Sequence, residues 1–487
     1  PNVSKYPKVV TRFSPNPDSV LHLGNARAVI LSHDYARKYG GAFILRFEDT
    51  DPRLKKAALQ YYDLIREDLK WLECSWDEEY LQSDRLELYY QHTEELIRRS
   101  SAYVCECAPQ DFKKLTEVGK ACPCRDISLD EHLARWRHML EGGYEEGKAV
   151  VRVKTDLDHP NPAVRDWPAL RVIDAAKYPH PRVGSKYRVW PLYNLACGVD
   201  DHLMGITHVI RGKEHLTNME RQKYLYRHLG WQYPDAIHYG RLHLIGMELS
   251  KSKMMRALEE GVYKDLSDPR LGTLMALRRR GITPQALRSV VYEVGPRPVD
   301  ATISWENLYA ANRKIIDPIA HRFFFIHKPV LLSVSGVSSG RTVKLLVHPD
   351  HPELGMREIT IDVTDGSCRL LLAAGDVGKL EPGEVVRLME LFNIEVERAD
   401  PDRACAKLHS ESYAEARKLN AQLIHWLPEK SNCTVSVVMP TAERAEGLGE
   451  PALASCRVEE VIQLIRFGFG RVDSVSQNEI VVYFAHQ

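Results

Sequence analysis

The first seventy residues alternate between strand-like and helix-like stretches, and this alternation limits the fold more than any other feature of the chain. Residues 8–13, Lys-Val-Val-Thr-Arg-Phe, have the β-branched and apolar character of a short strand. Ser14-Pro15-Asn16-Pro17-Asp18 can continue as neither strand nor helix, because its prolines fix φ and withhold N–H donors. Leu21-His22-Leu23-Gly24-Asn25 then opens a helical stretch to about Lys38, which Gly40-Gly41 stops. Residues 42–47 are apolar apart from Arg46 and suit a buried parallel strand. A second helix is expected over 55–73, with Tyr62, Ile65, Leu69 and Leu72 at helical spacing. Strand, helix, strand, helix in this order predicts a doubly wound α/β unit.

The pattern breaks off near residue 83 and resumes near Tyr193, so a domain is expected to be inserted between two halves of one nucleotide-binding fold. The halves are 1–82 and 193–255, and the insert is 83–192. Residues 256–316 are rich in Leu, Arg and Ala and read as a helical linker domain. From 317 to 487 the chain reads as all-β, best built as one or two barrels. Strands are expected at Val330–Val334, Thr342–Val347, Glu358–Val363, Thr434–Met439 and Ile480–Phe484. A length of 487 residues fits this multidomain α/β organisation.

Composition excludes several classes of function. Lysine plus arginine balance aspartate plus glutamate at 66 each, so any polyanion site must be a local patch. No run of 18 apolar residues exists, so no membrane partner is expected. The chain begins at Pro1 without a Met or a signal-peptide pattern, which points to processing, truncation or a preceding segment. Six of the ten cysteines are scattered and read as reduced core thiols of a cytoplasmic protein.

Two short motifs carry phosphate chemistry. At the first turn the helix N-terminus offers unpaired amides to an anion, Gly24 lets a flat ring approach the backbone, and His22 can donate to a phosphate oxygen. By itself this is also an ordinary strand–helix turn. About 225 residues later, Leu249-Ser250-Lys251-Ser252-Lys253 offers a mobile cation and two hydroxyls to a triphosphate, or is simply a solvated basic loop. A third cluster, Cys105-Glu-Cys107 and Cys122-Pro-Cys124, has the density of a four-thiolate structural Zn²⁺ site, with free thiols or a disulfide pair as the alternative.

Together these motifs resemble the signature pair of class I aminoacyl-tRNA synthetases, His-Ile-Gly-His and Lys-Met-Ser-Lys-Ser. Here Asn25 replaces the second histidine and Glu248 the first lysine. Thr11-Arg12-Phe13-Ser14-Pro15-Asn16-Pro17, Arg46-Phe47-Glu48-Asp49-Thr50-Asp51-Pro52, and Gly205-Ile206-Thr207-His208 before Arg211-Gly212-Lys213-Glu214-His215 look like the glutamyl/glutaminyl branch. The resemblance covers nearly the whole chain and implies a Rossmann-like catalytic domain. It also implies an inserted acceptor-binding domain, a helical linker and C-terminal β-barrels that bind the anticodon. The stretch Glu48-Asp49-Thr50-Asp51-Pro52 favours the archaeal glutamyl type.

What the resemblance implies about chemistry is specific. ATP with Mg²⁺ would sit on His22, Gly24, Asn25, Ser250, Lys251 and Ser252, with His22 and Lys251 catalytic. L-glutamate would meet Arg12, Ser14, Asn16, Glu48, Tyr193, Arg211 and His215, with Glu48 facing the α-ammonium. Arg211 stands where glutaminyl enzymes carry a small uncharged residue, and a guanidinium there pairs with a carboxylate by two prongs. An amide would set donor against donor, at a cost of roughly 1–3 kcal/mol. The structural alternatives are an Arg211 ion pair with Glu214 or Asp200, a Glu48 pair with Arg46, core packing for Tyr193 and helix capping for His215.

The partner expected is tRNA(Glu), with tRNA(Gln) as a second acceptor if the archaeal likeness extends that far. Arg322 is the candidate anticodon contact, with a salt bridge as its alternative. The rival readings are a glutaminyl-tRNA synthetase, a glutamate ligase acting on something smaller than tRNA, and a non-catalytic tRNA-binding factor.

Overall fold

A computed structural model describes residues 2–245, 251–477 and 479–487; the side chains of Leu244, Lys251 and Ser252 are outside the description. The chain divides into two compact units, one of residues 1–245 with 291–303, the other of residues 246–290 with 304–487.

In the first unit, β1 (Val10–Phe13), α1 (Leu23–Lys38), β2 (Ala42–Phe47), α2 (Leu59–Trp71) and β3 (Glu78–Leu81) alternate as the sequence predicts, and the strands pair in parallel. Every residue of β2 is buried, as a strand covered on both faces requires. The second helix starts at Leu59, later than residue 55, so Arg53-Leu54-Lys55-Lys56 stays exposed before it. Gly40 closes α1 in the left-handed region at φ 63°. Gly41 has a different reason: a Cβ there would lie 2.1 Å from the Val9 carbonyl oxygen.

The stretch expected as an insert, 83–192, carries α3 (Leu86–Arg98), β4 (Ala102–Cys105), α4 (Pro109–Glu117), α5 (Leu129–Leu140), β5 (Val150–Val153), β6 (Pro168–Val172) and β7 (Val189–Pro191). Its strands pair antiparallel in the order β4-β5-β6-β7 over a core holding Trp136, Trp167 and Trp190. The α/β pattern returns as α6 (Tyr193–Leu203), β8 (His208–Gly212), α7 (Leu216–Leu229) and β9 (Asp235–Tyr239), with β8 and β9 parallel. Thr207 joins the two halves: its N–H donates to the Val10 carbonyl at 2.9 Å, and its hydroxyl accepts from Val10 N–H at 2.8 Å. The parallel sets β3-β2-β1 and β8-β9 thus meet at β1 and β8, and the order in which successive strands are laid down reverses there. Such a switch point opens a crevice at the carboxyl ends of the strands, where open α/β sheets bind ligands.

Next come β10 (Leu242–Leu244), α8 (Lys251–Glu259), α9 (Leu274–Arg280), α10 (Pro284–Val294), β11 (Ala301–Ile303) and α11 (Trp305–Ile316). β11 is a departure from the helices expected in this stretch: it pairs in parallel with β10. Its formation depends on a partner nearly sixty residues away, so local composition gave no sign of it.

In the second unit α9 and α11 are tied to the last strand. Arg280, fully buried, donates to the carbonyls of Phe484 at 3.2 Å and Ala485 at 2.9 Å and to the Tyr309 hydroxyl at 2.6 Å. Of the five expected strands, Val330–Val334, Thr434–Met439 and Ile480–Phe484 lie within two longer sheets, while those expected at Thr342–Val347 and Glu358–Val363 form as Arg341–Leu346 and Met356–Ile361 and pair with each other in a separate two-stranded antiparallel sheet. One sheet runs His321–Phe323, Val461–Leu464, Gly468–Val475, Ile480–His486, Cys433–Val438, Arg444–Gly449, Phe325–His327. Its two end strands are separated in sequence only by Phe324, so the sheet curls nearly into a barrel. The other is built around Pro329–Ser335, Ser367–Ala373, Asn393–Asp400 and Arg403–Ser410, with its own core of aliphatic side chains, Phe392 and Trp426.

Candidate active site

The β1–α1 turn is organised by a reciprocal cap. His22 is the N-cap of α1; its Nδ1 accepts from Gly24 N–H at 3.1 Å, and Asn25 Oδ1 accepts from His22 N–H at 3.1 Å. Asn25 therefore holds the histidine's backbone, a role the short amide suits. Because Nδ1 accepts, the neutral ring carries its proton on Nε2, which leaves that N–H as the donor. Burial pushes the His22 pKa below its ordinary value and keeps the ring neutral. Gly24 lies directly under the ring: a Cβ there would meet His22 Cε1 at 2.9 Å. Upstream in the same turn, Ser14 Oγ and Asn16 Oδ1 are buried polar atoms without a partner. Such orphans are unusual, and a bound ligand is one explanation for them.

A charged cluster lies at the carboxyl ends of β1 and β2. Arg12 Nε and Nη2 donate to Asp201 Oδ1 and Oδ2 at 3.1 and 3.3 Å. Arg46 Nη1 donates to Asp201 Oδ1 at 2.7 Å, and its Nη2 to Glu48 Oε1 at 3.2 Å. Both guanidiniums also reach Cys197 Sγ. Burial works against charge on Arg12, but Asp201 and Cys197 more than offset it and raise its pKa. Burial would raise Asp201 in turn, yet Arg12 and Arg46 hold it below the usual carboxylate range. For Glu48 burial prevails: its carboxyl is raised, with Arg46 and Arg12 pulling the other way. The Glu48–Arg46 pair considered as an alternative is thus present, and Glu48 stays partly open.

Asp201, Cys197 and Tyr193 share one face of α6 at i, i+4 and i+8. Tyr193 takes part in more than packing, because Arg211 Nη1 donates to its hydroxyl at 3.3 Å. Arg211, at the end of β8, is 6% exposed. Its other contacts are Gln222 Oε1 at 3.1 Å, Tyr233 Oη at 3.0 Å and His238 Nε2 at 3.5 Å. Among the described residues no carboxylate is paired with it. Asp200, one alternative partner, is taken by Gln82, Arg85 and Tyr89, and no pair with Glu214 forms among them. His238 is driven down to about 4 by burial and by Arg211, so it faces the guanidinium as a neutral acceptor. His215 is likewise lowered to about 4 by burial and then Arg211. It occupies the N-cap position of α7 without a side-chain cap bond, and its ring lies against Tyr193 at 5.3 Å between centroids.

These contacts form two groups, Arg12 and Glu48 around Asp201 and Arg46, and Tyr193 and His215 around Arg211, and α6 carries a member of each. The sequence offers Arg46 only as a possible partner of Glu48, and it gives no site role to Cys197, Asp201, Gln222, Tyr233 or His238, which hold these groups together. The available signal was the tandem Asp200-Asp201 ending an otherwise apolar helix, since buried acids demand partners. Ser250 and the side chains of Lys251 and Ser252 lie outside the described residues.

In the insert, the sulfurs of Cys105, Cys107, Cys122 and Cys124 all lie within 4.8 Å of one another. Cys105 and Cys122 are 3.9 Å apart, Cys107 and Cys124 3.7 Å. A tetrahedral metal with bonds of about 2.3 Å sets its sulfurs about 3.8 Å apart, so the four thiols are placed to hold one ion. In the β region Arg322 pairs with Asp317 at 3.2 Å, yet its Nε is buried without a partner. It lines a cavity of about 490 Å³ with Phe324, Lys344, Arg357 and Gln463, whose Oε1 is also orphaned.

Comparison with known proteins gives one consistent picture. Residues 8–318 match the catalytic domain described as "tRNA synthetases class I (E and Q)". Residues 320–411 and 423–473 match the anticodon-binding domains of the same group. A glutamate–tRNA ligase of Pyrococcus abyssi is 50% identical over 483 residues, 99% of this chain and 83% of the relative. Those of Thermococcus kodakarensis and Methanothermobacter thermautotrophicus are 49% and 47% identical, each over 99% of this chain and 83% of the relative.

Proposed function

Since the chain belongs to the class I tRNA synthetases of the glutamyl and glutaminyl group, we propose that it joins L-glutamate to the 3′ end of tRNA(Glu) at the expense of ATP. In the first step the α-carboxylate of glutamate attacks the α-phosphate of Mg²⁺-ATP, giving glutamyl adenylate and pyrophosphate. In the second the terminal ribose hydroxyl takes the glutamyl group and AMP leaves. Positioning and charge stabilisation carry both steps.

Geometry and motif likeness support the following roles. Nε2–H of His22 is free to donate to a phosphate oxygen as charge builds there, while the α1 amides face the same anion. Glu48, partly open, takes the α-ammonium, and Ser14 and Asn16 offer their unpartnered oxygens. Lys251, Ser250 and Ser252 supply the triphosphate contacts by likeness of motif. The observation that carries the choice of amino acid is Arg211: a buried guanidinium whose contacts among the described residues are all neutral needs a counter-charge, and the side-chain carboxylate of glutamate supplies one. Glutamine would leave it uncompensated.

The four cysteines are read as a structural Zn²⁺ site, since four thiolates leave no open position for water. Arg322 and Gln463 are read as contacts for a splayed anticodon base in their cavity. Charging of tRNA(Gln) with glutamate is the broader form of this function, supported by the archaeal likeness. The cytoplasm, where the free thiols stay reduced, is the compartment it fits.

The test is aminoacylation of purified tRNA(Glu) and tRNA(Gln) with each amino acid. Glutamate on tRNA(Glu) is the expected product; glutamine on tRNA(Gln) would reverse the reading. Glutamate on both tRNAs would establish the broader form.

A further inference from the structure

Gln222 on α7 is fully buried, and its Oε1 accepts twice: from Arg211 Nη2 at 3.1 Å and from the Tyr233 hydroxyl at 2.9 Å. Tyr233 Oη accepts in turn from Arg211 Nη2 at 3.0 Å, so the three side chains close a triangle. The Gln222 Nε2 amide has no partner and is buried. A glutamate of the same shape would remove that orphaned donor and give Arg211 a permanent ion pair. The residue present instead fixes the fork, and among the described residues no carboxylate answers its charge. His238 and Tyr193 complete a set of acceptors that are all uncharged.

We infer that Gln222 is a specificity-determining residue, which orients the Arg211 fork through a neutral oxygen and so reserves the positive charge for the substrate's side-chain carboxylate. The inference rests on the reading of Arg211 given above. A carboxylate at position 222 would compensate Arg211 before substrate arrives and would repel a second anion across a dry pocket. Glutamine, being neutral, meets no such repulsion. Neutrality at this position therefore acts on the difference between the two amino acids.

The test is amino-acid-dependent ATP–pyrophosphate exchange by the full chain with tRNA present, for Q222E and Q222M, each alone and combined with R211Q. Q222E is expected to raise KM for glutamate at least about tenfold, with KM for ATP changed less than about threefold. Its glutamate-to-glutamine ratio of kcat/KM should fall at least about tenfold, while Q222M moves that ratio less than about threefold. The ratio is taken within one preparation, so a smaller folded fraction cancels. In the R211Q background Q222E should lose its effect on the ratio, the signature of direct coupling. Equal ratios for Q222E and Q222M, or an undiminished Q222E effect without Arg211, would overturn the inference. If R211Q alone keeps the wild-type ratio, it is the reading of Arg211 that fails, and the role of Gln222 falls with it.

Discussion

Asp201 accepts from Arg12 Nε at 3.1 Å across 189 residues of sequence, and through the same oxygen it also accepts from Arg46 at 2.7 Å. One carboxylate on α6 thus fixes a guanidinium from each of β1 and β2, and Arg46 passes the restraint on to Glu48. Removing one partner of a buried pair strands the others at a cost of about 3–5 kcal/mol. Asp201→Asn is therefore expected to lower the melting temperature and to raise KM for glutamate at least about tenfold, with KM for ATP less affected. Steady-state exchange kinetics beside a thermal melt check this. Wild-type KM for glutamate would count against it.

The role proposed for His22, a neutral donor to phosphate, requires that Nδ1 accept from Gly24. Protonation would place an N–H at Nδ1 against the Gly24 N–H and break the cap. Burial holds the folded-state pKa below the ordinary histidine value of about 6.5. The unfolded chain therefore takes up this proton first as pH falls. The contribution to stability is full above about pH 6.5 and declines below it. The acid limb of kcat for adenylate formation should accordingly lie below pH 6.5. His22→Ala should reduce kcat by about 10²-fold or more. An acid limb at or above pH 6.5 that disappears in the variant would contradict this assignment.

Zinc content tests the insert. Purified chain should carry one zinc per molecule, and Cys122→Ser should lose it together with the ordered region between Cys105 and Cys124. Elemental analysis reads the first outcome and limited proteolysis the second. A metal-free, fully active enzyme would remove the ion from the account.

Lys251→Ala is expected to slow adenylate formation by about 10²-fold while tRNA binding stays nearly intact, since the proposed role of its charge is to hold the triphosphate. Pyrophosphate exchange and a tRNA-binding titration separate the two. Unchanged exchange would argue against the role.

What the sequence disclosed and what it withheld divide along a physical line. Local patterns gave β2 to the residue and α1 to its last turn, because a doubly covered strand and a glycine stop leave marks in consecutive residues. Arg12, Glu48 and Arg211 were legible through motif likeness. Asp201, Cys197 and Gln222 were not, because nothing near them in sequence shows which buried cations they meet; the partners arrive from β1, β2 and β8 only once the sheet has formed. The polar strands Asn393–Asp400 and Arg403–Ser410 escaped for a similar reason. Each exposes charged side chains and depends on its neighbour for definition.

With substrate bound, the Arg211 fork is expected to point at the side-chain carboxylate. A crystal structure with a non-hydrolysable glutamyl-adenylate analogue measures this directly. The two side-chain carboxylate oxygens are expected at about 2.7–2.9 Å from the guanidinium nitrogens of Arg211, with the adenylate phosphate beside His22. A guanidinium turned away from that carboxylate would contradict it.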